Sequence, residues 1–405
     1  MKKSILFITH LYYPSLGGAE RVFQRMAEGL ARRGFCVTVL TSDALSTEQY
    51  FTPAVNNLPR QEVVNGVRIT REFLSARMYR YLKFIDLPLR RAGRLGVVLR
   101  PLFFGPHFGL AFKEMLREKA DAVVAGPTPT SAVFYGLFYK MKNPESKFIV
   151  LPCMHITDRL HTSLLNLWAI RKADAILALT DAEKKYLELR GVREGKIVRT
   201  ACGVDEFFLR APRAESRELK DYVLYLGQEG EHKRIPMLIK AMKNLWDRGC
   251  GNALVIAGSR TNFSREIDRI IDGLPSGPRS KIFRFNNFGE EQKVGLLDNC
   301  LMMVNPSAYE SFGIVFLEAW AREKPVIGAN IRALQEIIRD GQNGCLFDDR
   351  KDGDLEAKIL RIIDNPEQGR KMGMEGNREV RERYVWDWVI EESVVHFLRG
   401  SPTKR

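Results

Sequence analysis

Residues 5–40 read ILFITHLYYPSLGGAERVFQRMAEGLARRGFCVTVL. Ile5 to Thr9 is a short apolar run bounded by loop residues, the pattern of a strand buried on both faces. Pro14, Gly17 and Gly18 follow in a loop. Ala19, Val22, Phe23, Met26, Ala27 and Leu30 then recur at helical spacing and make one apolar stripe. Gly34 closes that helix as a left-handed glycine does, and Val37 to Leu40 begins the next strand. Strand, loop, helix and strand in this order form a crossover unit of a parallel sheet.

The unit repeats along the chain. Ala122 to Ala125, Phe148 to Leu151, Ala175 to Leu179 and Ile197 to Thr200 read as further strands separated by helical segments. A second series comprises Tyr222 to Leu226, Leu254 to Ala257, Ile282 to Phe285, Met302 to Val304, Pro325 to Ile327 and Cys345 to Phe347. Helices such as Ile235 to Leu245 and Ile314 to Ala321 fit between them. Alternation on this scale predicts an α/β fold with two Rossmann-like, doubly wound parallel sheets facing across a cleft. The polar stretch Leu209 to Lys220, with Pro212, reads as an exposed linker. The expected domains are residues 1–207, residues 208–378, and residues 379–405 as a terminal helix returning towards the first domain. That tail carries Tyr384, Trp386, Trp388 and Phe397, which read as core-packing aromatics.

A chain of 405 residues suits two domains, and 45% hydrophobic with 28% charged residues is ordinary for a globular protein. The six cysteines are scattered and form no C-x-x-C pair, so neither zinc ligation nor a disulfide framework has support. They read as reduced thiols, as in cytosol. The apolar run at the N-terminus stops at His10, too short for a signal peptide. No apolar stretch of about 20 residues could span a bilayer. The expected location is the cytoplasm, at the inner face of the cell membrane.

The net charge of +14 comes from 63 Lys+Arg against 49 Asp+Glu. Such a balance suits nucleic acid, anionic lipid or phosphorylated ligands. No recognition helix, zinc finger or RNP pattern is present, which argues against nucleic acid. Arg77, Arg80, Lys83, Arg90, Arg91, Arg94 and Arg100 are opposed within their stretch only by Asp86. Tyr79, Tyr81, Phe84, Leu87, Leu89, Leu95, Val97 and Val98 are interleaved with them. That mixture fits either peripheral contact with an anionic membrane or a solvated helix face beside a cleft.

The segment with the most specific chemistry is Asn305-Pro-Ser-Ala-Tyr-Glu310-Ser-Phe-Gly-Ile-Val-Phe-Leu-Glu318. It follows a strand and opens a helix near Gly313. The first N–H groups of a helix lack intrahelical partners and suit an anion such as a diphosphate. Glu310 lies in the loop and Glu318 in the helix. A carboxylate accepts two hydroxyl hydrogen bonds, as a ribose diol or sugar ring offers, although a Glu before a helix also serves as a cap or dipole partner.

This segment resembles the E-x7-E motif of the retaining glycosyltransferase family 4, which has the two-domain GT-B fold. Gly17-Gly18-Ala19-Glu20, Ala173-Asp174-Ala175-Ile176 with Thr180, Gly203-Val204-Asp205 with Phe207, and His232-Lys233-Arg234-Ile235 are similar to family segments in the family's order. Pro325-Val326-Ile327 and Glu336-Ile337-Ile338 continue the resemblance.

The resemblance implies catalytic roles for Glu310, His155 and Lys233. Lys233 would neutralise the donor diphosphate, Glu310 would contact sugar hydroxyls, and His155 would lie near the reacting sugar. Phe312, Gly313 and Ile314 would offer backbone N–H groups, Glu318 would hold the ribose, and Gly17 and Gly18 would admit phosphate closely. Gln228 stands where the family often has an arginine. Arg234 is the candidate substitute, although adjacent side chains usually diverge.

The implied co-substrate is a UDP- or GDP-linked sugar, and the implied acceptor a glycan or lipid-linked molecule in polysaccharide or glycolipid synthesis. The reaction would retain anomeric configuration and use no cofactor or metal. Asp348-Asp349 and Asp352-Gly-Asp354 read as a solvated loop. A nucleotide-sugar epimerase is the nearest rival, and the E-x7-E spacing and the Gly-Val-Asp segment argue against it. A basic nucleic-acid-binding protein and a catalytically dead subunit are the others; Glu310, Glu318 and Lys233 argue against the latter.

Overall fold

A computed structural model describes residues 2–15, 17–50, 56–74, 76–216 and 218–392. The side chains of Arg77 and Tyr79, together with Phe397 and the rest of the expected terminal helix beyond residue 392, lie outside the described residues. The chain forms two compact units, Met1–Cys202 with Trp386–Arg405, and Gly203–Val385.

In the first unit, eight strands among the described residues form one sheet. They are β1 (Ser4–Thr9), β2 (Cys36–Ser42), β3 (Gln61–Val64), β4 (Val67–Glu72), β5 (Ala122–Gly126), β6 (Lys147–Val150), β7 (Ala175–Ala178) and β8 (Ile197–Arg199). Their order is β3-β4-β2-β1-β5-β6-β7-β8. β1 pairs in parallel with β2 on one side and β5 on the other, Phe7 lying opposite both Val39 and Val124. The chain therefore winds outward in both directions from β1. The helix Gly18–Arg32 buries Val22, Phe23, Met26, Ala27 and Leu30, the stripe that the sequence predicts. It ends as expected: Gly34 has φ 87°, and the Phe35 N–H donates back to Leu30 O at 3.2 Å.

The expectation of wholly parallel sheets needs one correction. β3 is antiparallel to β4, with Val64 opposite Val67. The two-residue turn between them is Asn65-Gly66, with φ 50° and 80°. Positive φ at both positions is what a type I′ hairpin turn requires. β3 is the edge strand and alternates exposed with half-buried residues, so it carries no continuous apolar run.

In the second unit, β9 (Tyr222–Leu226), β10 (Leu254–Ala257), β11 (Ile282–Phe285), β12 (Cys300–Asn305), β13 (Val326–Ala329) and β14 (Cys345–Phe347) pair throughout in parallel. Their order is β11-β10-β9-β12-β13-β14. Here β9 is where the winding reverses, between β10 and β12. Ligands of doubly wound sheets bind at such a switch point, beyond the carboxyl ends of the strands. The loops that leave Leu226 and Asn305 are therefore neighbours.

The expected breaks after residues 207 and 378 fall instead after Cys202 and Val385. Val204 pairs with Val385 in an isolated parallel bridge, and its N–H donates to Tyr384 O at 2.7 Å. This ties residue 203 onward to the second unit. The same bridge interrupts the expected terminal helix. The helix Pro366–Arg383 stops, and a separate short helix runs Trp386–Ile390. Trp386 is buried there and Trp388 is exposed. In the first unit that short helix packs against Gly18–Arg32. Ile390 Cδ1 occupies the space where a Cβ on Gly29 would stand, and Arg33 Nε meets Glu391 at 2.9 Å. The stretch Leu209 to Lys220 is largely exposed, but it is anchored. Ala214 and Ser216 donate backbone N–H bonds to Asp298 (2.9 Å) and Asn299 (2.7 Å), and Arg213 donates to Arg322 O at 2.6 Å. All six cysteines are free thiols. No helix among the described residues is long and apolar enough to cross a membrane.

Candidate functional site

The carboxyl end of β9 runs into Gly227-Gln228-Glu229-Gly230 and a short turn, Glu231–Lys233. Gly227 has φ 149°, and a Cβ on Gly258 would stand 1.7 Å from Gly227 O, so this loop and the one after β10 pass in backbone contact. Tyr225 OH donates to Gln228 O at 2.8 Å. Burial, followed by the negative charges of Glu310 and Glu229, pushes the Tyr225 phenol well above its ordinary value and keeps it a neutral donor.

The carboxyl end of β12 runs into the loop that carries Ser307, Tyr309, Glu310 and Phe312, and then into the helix Ile314–Ala321. The two loops are joined at three points. Lys233 Nζ lies 2.5 Å from Glu310 Oε1, with the side chains only 15% and 10% exposed. The ring of His232 stacks on that of Tyr309, with centroids 4.8 Å apart and planes 6° from parallel. The Ala308 N–H donates to His232 O at 2.8 Å. Lys233 and Glu310, 77 residues apart, meet because β9 and β12 are adjacent in the sheet.

Gly313 starts the helix in the left-handed region, at φ 95° and ψ 60°. A Cβ there would meet Phe316 Cδ2 at 2.7 Å and Leu334 Cδ2 at 3.2 Å, so both conformation and space demand glycine. Phe312 is buried and contributes a ring to Tyr384, edge to face at 5.8 Å. Ile314 is the first residue of the helix and is half-buried.

Glu318 faces inward one turn later, and Lys293 Nζ reaches its Oε1 at 2.6 Å. Lys293, on the helix Glu290–Asn299, also lies 5.1 Å from the centroid of the Phe208 ring. Each of the two glutamates is thus matched by one lysine. No spacing in the sequence marks Lys293, and the sequence reading missed it. It also missed Glu229, which is fully buried and held by Arg284 from β11, with Nη2 2.5 Å from Oε1.

Arg234 does not join Lys233. Its backbone is left-handed, φ 52° and ψ 35°, and its guanidinium pairs with Asp349. The chain turns between the two cations, and Arg234 stands about one-third exposed. Asp348 pairs with the exposed Arg350, whose hydrogen bond brings its carboxyl down to about 2.

In the first unit, Gly17 caps the helix Gly18–Arg32 in extended conformation. A Cβ on Gly17 would stand 2.1 Å from Glu20 Oε2, whereas Gly18 faces open space. Glu20 Oε1 lies 3.2 Å from His10 Nε2. Burial opposes ionisation of Glu20, but the hydrogen bond and charge of His10 outweigh it and hold the carboxyl below its ordinary value. The His10 carbonyl accepts from Ser42 Oγ at 2.8 Å and Tyr50 OH at 2.9 Å.

His155 lies in the loop after β6. Its ring leans on that of His161, with centroids 4.6 Å apart and planes tilted 33°. Glu183 clamps this loop to the end of β7, accepting from Met154 N–H (2.8 Å) and Leu179 N–H (2.7 Å). Gly17, Gly18 and His155 all follow carboxyl ends of strands in their own sheet.

Residues 210–379 match the family model described as Glycosyl transferases group 1, and residues 17–203 the model described as Glycosyl transferase 4-like domain. An uncharacterised glycosyltransferase of Methanocaldococcus jannaschii is 35% identical over 388 residues, covering 93% of each chain. Glycogen synthase of Mycobacterium tuberculosis is 26% identical over 244 residues, 59% of this chain; the match spans 57% of that enzyme, little more than half its length. The Anabaena protein HepE, solved in complex with UDP and glucose, has the same fold at 16% identity and a TM-score of 0.73, covering 98% of this chain and 100% of that one. With one family model over residues 17–203, another over residues 210–379, and a relative alike over nearly its whole length, the chain belongs to the GT-B superfamily of glycosyltransferases.

Proposed function

We propose that this chain is a retaining glycosyltransferase of family 4, which moves a hexose-type sugar from a UDP- or GDP-linked donor to a glycan or lipid-linked acceptor. The observation that carries the reading is the pairing of Lys233 with Glu310 at 2.5 Å, on two loops at the switch point of the second sheet and beside a helix N-terminus. A nucleoside diphosphate and a sugar call for a cation, a carboxylate and helix-start N–H donors close together, and the placing of Lys233, Glu310 and the start of the helix Ile314–Ala321 at one end of the sheet supports the reading.

Lys233 neutralises the diphosphate as the bond from its oxygen to the anomeric carbon breaks. The N–H groups of Phe312, Gly313 and Ile314 take sugar or phosphate oxygens. Glu310 accepts from sugar hydroxyls. Glu318 accepts from the ribose diol, with Lys293 holding it in place. The open space at Gly18 and the extended backbone of Gly17 suit a close approach of phosphate or acceptor. His155, in its loop after β6, attends the reacting sugar. The acceptor oxygen attacks the face from which diphosphate departs, and its proton passes to the leaving phosphate oxygen. Charge developing on the diphosphate is met by Lys233 and the helix N–H groups, so the step needs no divalent metal.

Calorimetry with a panel of UDP and GDP sugars in EDTA tests the reading. One clear binder, lost in Lys233→Ala, is the expected result. Metal-dependent binding, or wild-type turnover in Lys233→Ala or Glu310→Ala, overturns it.

A further inference from the structure

The helix Ala76–Arg91 leaves the carboxyl end of β4, the end of the first sheet from which the loops bearing Gly17 and His155 also depart. It is amphipathic in an unusual sense. Its inward face carries Leu82 and Asp86, both buried. Asp86 is met by Arg90 Nε at 2.5 Å and Arg100 Nε at 3.0 Å, so the single acid of this stretch is turned in and neutralised. The outward face carries Arg80, Phe84, Leu87 and Arg91, at spacings that put all four on one stripe. Tyr81 and Lys83 flank them. Phe84 is 80% exposed, and Tyr81 and Leu87 are each 53% exposed. The next helix, Gly93–Leu99, packs on the first and adds Arg94 and the 61% exposed Leu95 to the surface. Large apolar side chains at such exposure are ordinarily single; here they stand among five exposed cations, counting Arg90 and only the side chains described, and neither helix has an exposed carboxylate.

We propose that this face docks on an anionic lipid bilayer. Phe84, Leu87, Tyr81 and Leu95 insert at the boundary between headgroups and acyl chains, and Arg80, Lys83, Arg91 and Arg94 take lipid phosphates. The charge argues for this occupant. A second copy of the chain would set the same cations against one another, whereas an anionic surface meets apolar and basic residues together.

The full chain, without donor, is sedimented with vesicles of phosphatidylcholine alone and of phosphatidylcholine and phosphatidylglycerol in equal parts. Binding is expected only to the second, weakening as salt is raised. The set Arg80→Gln, Lys83→Gln, Arg91→Gln and Arg94→Gln should lower the partition about fivefold per residue, more than a hundredfold in all. Phe84→Ser with Leu87→Ser should lower it at least about tenfold at unchanged charge. Both variant sets alter exposed side chains, and an unchanged melting temperature and circular dichroism spectrum verify their fold. Equal binding to both vesicle types, or binding that neither set reduces, overturns the proposal. So does a concentration-dependent dimer that Phe84→Ser abolishes, because that makes a second copy the occupant.

Discussion

Replacing Lys233 separates what the lysine does for the fold from what it does for a bound donor. At 2.5 Å the Nζ–Oε1 attraction is roughly 7 kcal/mol in a medium of effective dielectric about 20. Desolvation of both groups offsets most of that. What remains measurable is the cost of stranding one partner, about 3–5 kcal/mol for a buried pair. Lys233 and Glu310 keep 15% and 10% exposure, so the low end applies, about 3 kcal/mol. In a domain of this size that is a fall in melting temperature of about 6–12 °C. Lys233→Met should show it. Lys233→Met with Glu310→Gln removes both charges and should regain most of the loss. Transfer behaves differently. Losing the group that meets charge on the leaving diphosphate should lower kcat about a hundredfold to a thousandfold, and the double variant should recover none of it. Differential scanning calorimetry and initial rates on the same preparations read both quantities. If Lys233→Met melts with the wild type, the pair does not support the fold, and if the double variant regains transfer along with stability, the lysine acts only as a structural partner of Glu310; either result refutes the reasoning.

Gly313→Ala places a Cβ 2.7 Å from Phe316 Cδ2 at φ 95°, and should cost at least about 1–2 kcal/mol in chemical denaturation while weakening donor binding. Arg284→Ala strands the fully buried Glu229 and should cost about 3–5 kcal/mol by urea unfolding, most of it restored by adding Glu229→Gln. Glu20 has a folded-state pKa below its unfolded one, so its contribution is complete above the unfolded value of about 4.3 and is lost as pH falls through the lower folded value. Glu20→Gln should therefore lower the melting temperature near neutral pH, and the gap from wild type should close on acidification; a gap constant down to about pH 3 would contradict the assignment.

Sequence alone determines most of the first and second sheets. Their parallel strands are buried on both faces, so each is a continuous apolar run that stands out against the helical period between runs. The hairpin β3–β4 escaped because an edge strand needs no such run; its legible mark was the Asn65-Gly66 turn. Gly34 was legible for a related reason, since its position forces a backbone only glycine accepts readily, whereas the left-handed backbone of Gly313 came from the structure. Of the candidate site, Glu310 and Glu318 were legible from the strand-to-helix passage that carries them, whereas Lys233, His155, Gly17 and Gly18 were named through the family resemblance. Which of them touch was decided by strand order. Lys233 meets Glu310 because β12 crosses back to lie beside β9, with β10 and β11 placed on the other side. The partnerships of Lys293 with Glu318 and of Arg284 with Glu229 depend in the same way on elements far apart in the chain. Arg234, adjacent to Lys233, was sent to Asp349 by a left-handed turn of its own backbone. Local periodicity reports which face of an element is buried; the partners of a charged side chain are set by tertiary neighbours, which no local period encodes.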